Sequence, residues 1–144
     1  MHVSDVLKRK GRAVVTVRGD ISVEHLAQRL RAEGIGAVVV SEDGVSIDGI
    51  ISERDIVRGF AEHGAELTTK SVADLMTRGV ATCSPDDTVS HVSSLMTKRR
   101  IRHVPVVENQ KLVGIVSIGD VVRHRLDELE LETNVLRDYA VSRH

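Results

Sequence analysis

Aromatic side chains are nearly absent: one Tyr, one Phe and no Trp in 144 residues. Platforms for single-stranded nucleic acid stack bases on such rings, so that class is excluded. An excess of positive charge is missing too. Twenty basic residues stand against 21 acidic ones, a formal net charge of −1, so no counterion release drives binding to a polyanion backbone. There is one cysteine, Cys83. It cannot form an internal disulfide, and such usage fits a reducing compartment. No apolar run exceeds about five residues, against the ~20 that a membrane helix needs. The opening residues, MHVSDVLKRKGR, contain no apolar signal segment. Neither Gly-x-Gly-x-x-Gly nor Gly-x-x-x-x-Gly-Lys occurs, and the His residues show no metal spacing. The expectation is a soluble, cytoplasmic protein with no metal, nucleic-acid or membrane partner. Hydrophobic residues make up 41% of the chain, enough for a real core.

What is present is a repetition. GIISERDIVR starts at Gly49 and GIVSIGDVVR at Gly114. Shifted by 66 residues, Thr16 falls on Thr82, Asp20 on Asp86, Val23 on Val89, His25 on His91 and Ile35 on Ile101. One extra residue in the turn before Gly49 reduces the later shift to 65, so that Ser52 and Asp55 meet Ser117 and Asp120. The lead-ins match as well: Val3, Asp5 and Leu7 correspond to Val72, Asp74 and Met76. Such self-similarity in register marks an internal duplication.

Each copy has a readable layout. A short strand ends near Thr16–Val17 or Thr82–Cys83, and a turn follows. Val23, Leu26, Ala27 and Leu30 recur at helical spacing, as do Val89, Val92 and Met96. Ser22 and Thr88 stand where N-caps belong. Valine-rich runs then predict a strand, AVVV or HVPVV, and a second strand at 47–51 or 111–116. A last helix is expected at 55–61 and at 120–129. The fold class is therefore α+β (α/β-like), with the order β-α-β-β-α twice over. Repeat 1 is placed at 1–64, a linker at 65–71, repeat 2 at 72–126, and an amphipathic C-terminal helix and tail at 127–144. Leu126, Leu129, Leu136 and Tyr139 form an apolar stripe that must be covered somewhere.

Ser52 with Asp55, and Ser117 with Asp120, admit two readings. A carboxylate accepts from two hydroxyls at once, as the cis diol of a ribose offers, and a helix N-terminus supplies free amides and a positive dipole end. Ser-x-x-Asp is equally a capping box that satisfies only its own helix. Gly49 admits a close approach, of ligand or of packed neighbour. Arg54 is a candidate phosphate partner in the first copy; its counterpart, Gly119, leaves room but carries no charge.

The repeated Gly-h-h-Ser-x-x-Asp, together with VADLMTRGVATCSPDDTV and RIRHVPVVE, resembles a tandem pair of cystathionine β-synthase (CBS) domains, often called a Bateman module. The resemblance runs from Val3 to Arg125. It implies two repeats packed about a pseudo-twofold axis, with clefts for an adenosine-containing ligand: AMP, ADP, ATP, NAD(H) or S-adenosylmethionine. It places Arg102 and His103 toward the phosphates, although both also suit an edge or packing role. Repeat 1 departs here, with Gly36 and Ala37 at those positions, so the two clefts are expected to be unequal. Thr16 with Arg18, and Thr82 with Ser84, fall where the family contacts the base edge. Val38 and Val104 would wall the adenine, with Ile50, Pro105 and Ile115 beside them; apolar walls suit a core equally. The resemblance also implies a homodimer. No nucleophile paired with a base is found, so the chain reads as a non-enzymatic sensor that signals to an unidentified effector protein. The alternative is a constitutive dimerisation scaffold with empty clefts.

Overall fold

The computed structural model describes residues 1–142. A lead-in helix α1 (Val3–Lys10) precedes the first repeat, which comprises β1 (Thr16–Val17), α2 (Val23–Glu33), β2 (Ala37–Val40), β3 (Gly49–Ser52) and α3 (Glu53–His63). A 3₁₀ turn (Gly64–Thr69) leads to a second lead-in helix, α4 (Val72–Leu75). The second repeat has α5 (Val89–Arg99), β4 (His103–Glu108), β5 (Lys111–Ser117) and α6 (Ile118–Ser142).

Local signals explain most boundaries. Ser22 and Thr88 cap α2 and α5 by accepting from the amides of His25 and His91, at 3.1 and 3.0 Å. Helix α2 buries Val23, Leu26 and Leu30, and α5 buries Val89, Val92 and Met96. Helix α2 ends on Gly34, left-handed at φ 65°, the usual residue for that turn. In repeat 1, β1 pairs parallel to β2 (Thr16 opposite Val39), and β2 pairs antiparallel to β3 (Ala37 opposite Ser52). In repeat 2, β4 and β5 are antiparallel, with His103 opposite Ser117.

Three expectations are corrected. The strand at Thr82–Cys83 shrinks to a single parallel bridge between Cys83 and Val106. The run before it, Val80-Ala81, is less β-branched than Val14-Val15. The second strand of repeat 1 begins at Gly49 rather than at 47, because the turn before it is held by side chains. Asp43 accepts from the amides of Val45 and Ser46, and Asp48 from that of Glu42. The last helix of repeat 2 and the tail form one continuous 25-residue helix; no breaker lies between Gly119 and Ser142. The 65–71 segment is mostly 3₁₀ helix, with Leu67 4% exposed. Residues 143 and 144 of the expected tail lie outside the described residues.

The lead-in helices cross over. Val3, Val6 and Leu7 of α1 lie in the core of repeat 2, with Val92, Met96, Val104 and Val116. Val72 of α4 lies in the core of repeat 1, with Leu26, Val38 and Ile51. Matched backbone pairs make the exchange. The Val3 amide donates to Asp87 and the Val89 amide to Met1; the Val72 amide donates to Ile21 and the Val23 amide to Lys70. The fold thus has pseudo-twofold symmetry, with each repeat closed by the other's lead-in.

Candidate functional site

The N-termini of α3 and α6 are built alike. The first amide of each helix bonds across to the residue before the strand that pairs with the one leading into the helix: Glu53 N–H to the Gly36 carbonyl, just before β2, at 2.9 Å, and Ile118 N–H to that of Arg102, just before β4, at 2.8 Å. Each Ser-x-x-Asp is a capping box. The Asp55 carboxylate accepts from the Ser52 amide at 2.8 Å, and that of Asp120 from the Ser117 amide at 2.8 Å. The Ser hydroxyls accept in return from the amides of Asp55 and Asp120, at 3.4 and 3.1 Å. Capping occupies only part of each carboxylate, which has about four acceptor directions.

Between these helix ends lies a cavity of about 700 Å³. Repeat 1 contributes Ala37, Ile50, Ser52, Arg54 and Asp55; repeat 2 contributes Arg102, His103, Ser117 and Gly119. These expected residues therefore meet in one space that draws on both repeats, whereas Asp120 at the start of α6 does not line it. The other expected residues lie elsewhere. Val38 and Val104 are 1% and 0% exposed; their side chains pack in the two cores and do not wall the cavity. Pro105 is also buried, and its carbonyl accepts from the Cys83 amide. Thr16 pairs with Val39, and Arg18 is ion-paired with Asp20 at 3.2 Å. The Ser84 amide donates to Asp87, Thr82 is exposed, and neither lines the cavity.

Asp120 and Ile115 differ from their mates in repeat 1. Lys10, at the end of α1, donates to the Asp120 carboxylate at 2.7 Å and to the Ile115 carbonyl at 2.9 Å. Asp120 does not line the cavity, whereas Asp55 does. Burial alone would raise the Asp120 pKa, but the Lys10 and Ser117 bonds and the Lys10 charge outweigh it and hold the carboxyl below its usual value. By the repeat alignment, the position matching Lys10 is Gly79, so Asp55 has no such lysine.

The cavity is rich in cations that the motif did not indicate. Arg58 and Arg100 line it beside Arg54 and Arg102, against the carboxylates of Glu53 and Asp55. Arg100 had a legible signal. It matches Gly34 across the repeats and takes the same left-handed turn at φ 54°. A non-glycine residue there is uncommon and strained, a condition that clusters at binding sites. His103 is pushed below its ordinary 6.5, first by burial and then by the charges of Lys10 and Arg102, against Asp120 and Glu53. It is neutral at pH 7. Cys83 is buried, and desolvation followed by the Asp87 charge pushes its thiol up to about 12; it is no nucleophile.

The two glycines of the repeated motif face packed neighbours. A Cβ on Gly49 would lie 2.7 Å from Met76 Sδ and 2.9 Å from the Thr77 carbonyl oxygen. A Cβ on Gly114 would lie 2.6 Å from Leu7 Cδ2. Met76 and Leu7 are equivalent residues of the exchanged lead-ins, so both glycines serve the crossover.

A family model described as the CBS domain matches this chain twice, over residues 3–62 and 72–127. The chain belongs to the CBS-domain family. It is 34% identical to a mitochondrial CBS domain-containing protein of Arabidopsis thaliana, CBSX3, over 95% of this chain and 70% of that protein. It is similar to the crystal structure of a CBS-domain protein of Agrobacterium tumefaciens, ATU1752, with a TM-score of 0.84 and 48% identity over 87% of this chain and 99% of that one. It is also similar to the CBS domain pair of protein MJ0100 in complex with 5′-methylthioadenosine and S-adenosyl-L-methionine. There the TM-score is 0.78 and the identity 31%, over 89% of this chain and 98% of that one. The two-repeat CBS architecture is thus shared with a CBS domain pair whose crystal structure is a complex with adenosine compounds. Among the described residues, no helix is long and apolar enough to cross a membrane.

Proposed function

We propose that this CBS pair is a non-catalytic regulatory module that binds one adenosine-containing ligand, AMP, ADP, ATP or NAD(H), in the cavity between its repeats. The carrying observation is that Asp55 and four arginines, Arg54, Arg58, Arg100 and Arg102, line a single cavity of about 700 Å³. A carboxylate with free acceptor capacity suits a ribose diol, and guanidinium forks suit phosphate oxygens. The adenosine compounds bound by the MJ0100 pair support the ligand class. Lys10 occupies Asp120, so the second carboxylate is withheld and the two halves are unequal. The output passes to an effector protein through a homodimer. Val57 and Phe60 on α3 and Val122 on α6 are more than half exposed, and a second copy would cover them.

One observation favours the scaffold reading: both Ser-x-x-Asp pairs are already satisfied as helix caps. Calorimetric titration separates the two. AMP should bind more tightly than adenosine, and Arg54→Ala or Arg102→Ala should narrow that difference. Losing one charged hydrogen bond costs about 1.5–3 kcal/mol, or roughly 10- to 150-fold in affinity. Absence of binding by any of AMP, ADP, ATP, NAD and NADH would leave the scaffold reading standing.

A further inference from the structure

Beyond residue 121 the long helix α6 leaves the core, and its apolar residues face outward. Val122, Leu126, Leu129 and Leu136 are 51, 60, 43 and 68% exposed. With Thr133 and Ala140 they repeat at alternating steps of four and three residues. That is the 3.5-residue period of a coiled-coil seam, with Leu126, Thr133 and Ala140 at a and Val122, Leu129 and Leu136 at d. Among the described residues nothing covers this line.

The flanking charges choose the occupant. Arg123, Glu130 and Arg137 stand at e, and Arg125, Glu132 and Tyr139 at g. Two identical helices side by side in the same direction bring each g residue against the e residue five positions further along the partner. Arg125 then meets Glu130 of the partner subunit, and Glu132 meets Arg137 of the partner subunit. Twofold symmetry makes every such pair twice. In the antiparallel register that matches all six seam positions, Glu130 faces its own copy, Glu132 faces its own copy, and Arg123 faces Arg137. All three contacts are repulsive.

We propose that the exposed length of α6 pairs with the same helix of a second copy as a parallel, in-register two-stranded coiled coil along Val122–Ala140. The pairing deepens the homodimer of the proposed function and rests on it, but not on the ligand. Nineteen residues, just under three heptads, are short for an isolated coiled coil. Attachment to a body that also pairs raises their effective concentration. A parallel pair holds both bodies at the same end of the stalk, so a change in their packing would be felt by both.

Oxidative cross-linking of the full chain tests the arrangement. Buried Cys83 gives little background. In a parallel register, Leu136→Cys places two cysteines side by side at a d position, within disulfide reach, whereas Leu131→Cys points away from the seam. The expected result is disulfide dimer from Leu136→Cys at least about tenfold faster than from Leu131→Cys. Light scattering on the wild type should give twice the 15.8 kDa chain mass. Equal or faster linkage at 131, no linkage at 136, or linkage only when Leu126→Cys and Leu136→Cys chains are mixed would overturn the parallel seam. A dimeric mass without linkage at 136 would leave the homodimer standing and remove only the coiled coil. A monomeric mass at tens of micromolar would remove both. Leu131 and Leu136 are 62 and 68% exposed, so neither substitution threatens folding, and a melting curve confirms it.

Discussion

The glycines of the repeated phrase offer a sharp measurement, because their two roles predict different losses. If they serve the crossover of the lead-in helices, alanine costs stability. If they admit ligand, alanine costs binding. Forcing a methyl group into a packed site costs about 1–3 kcal/mol. Removing a glycine from a strand returns about 0.5–1 kcal/mol of backbone entropy. The net loss is then roughly 0.5–2 kcal/mol where the neighbour can yield. Gly114 is such a case, since its three nearest obstacles are side-chain atoms of Leu7. Gly49 is not, because one obstacle is the Thr77 carbonyl oxygen at 2.9 Å, held in place by the Ile50 amide at 3.0 Å. Gly114→Ala should therefore fall within that range and Gly49→Ala above it. In chains approaching 150 residues, each 1 kcal/mol moves Tm by roughly 2–4 °C. Differential scanning calorimetry of both variants, with and without AMP, is the assay. Wild-type melting for Gly49→Ala, or a selective loss of the AMP-dependent shift, would refute the packing argument.

Two further outcomes are expected. Arg100→Gly relieves a left-handed arginine, so Tm should rise by the equivalent of up to about 1 kcal/mol while AMP affinity falls; a lower Tm with unchanged affinity would separate Arg100 from the site. His103 has its pKa depressed in the fold, so the unfolded chain binds that proton first. Its contribution to stability is complete above 6.5 and is lost as pH falls from 6.5 toward the lower folded value. The melting temperature of wild type should thus drop more than that of His103→Gln between about pH 7.5 and pH 5.5, and equal drops would refute the assignment.

Much of the architecture was legible in the sequence because its causes are local. Two copies of one pattern, a Ser or Thr before each apolar stripe, and valine runs bounded by polar turns specify caps, helices and strands within a few residues of themselves. The convergence of Asp55, Arg54, Arg102 and His103 was open to sequence reading only through resemblance to CBS domains, whose repeat motif carries the symmetry. Tertiary structure decided the rest, since each remaining question asks which distant surface a given face meets. Val38 and Val104 could line a cleft or a core, and long-range packing sent both inward. Gly49 and Gly114 could admit a ligand or a neighbour, and the exchanged residues Met76 and Leu7 stand against them. Asp55 and Asp120 are equivalent in the repeat pattern. Lys10 lies 110 residues from Asp120, and only the path of α1 across the other repeat lets its charge distinguish the two.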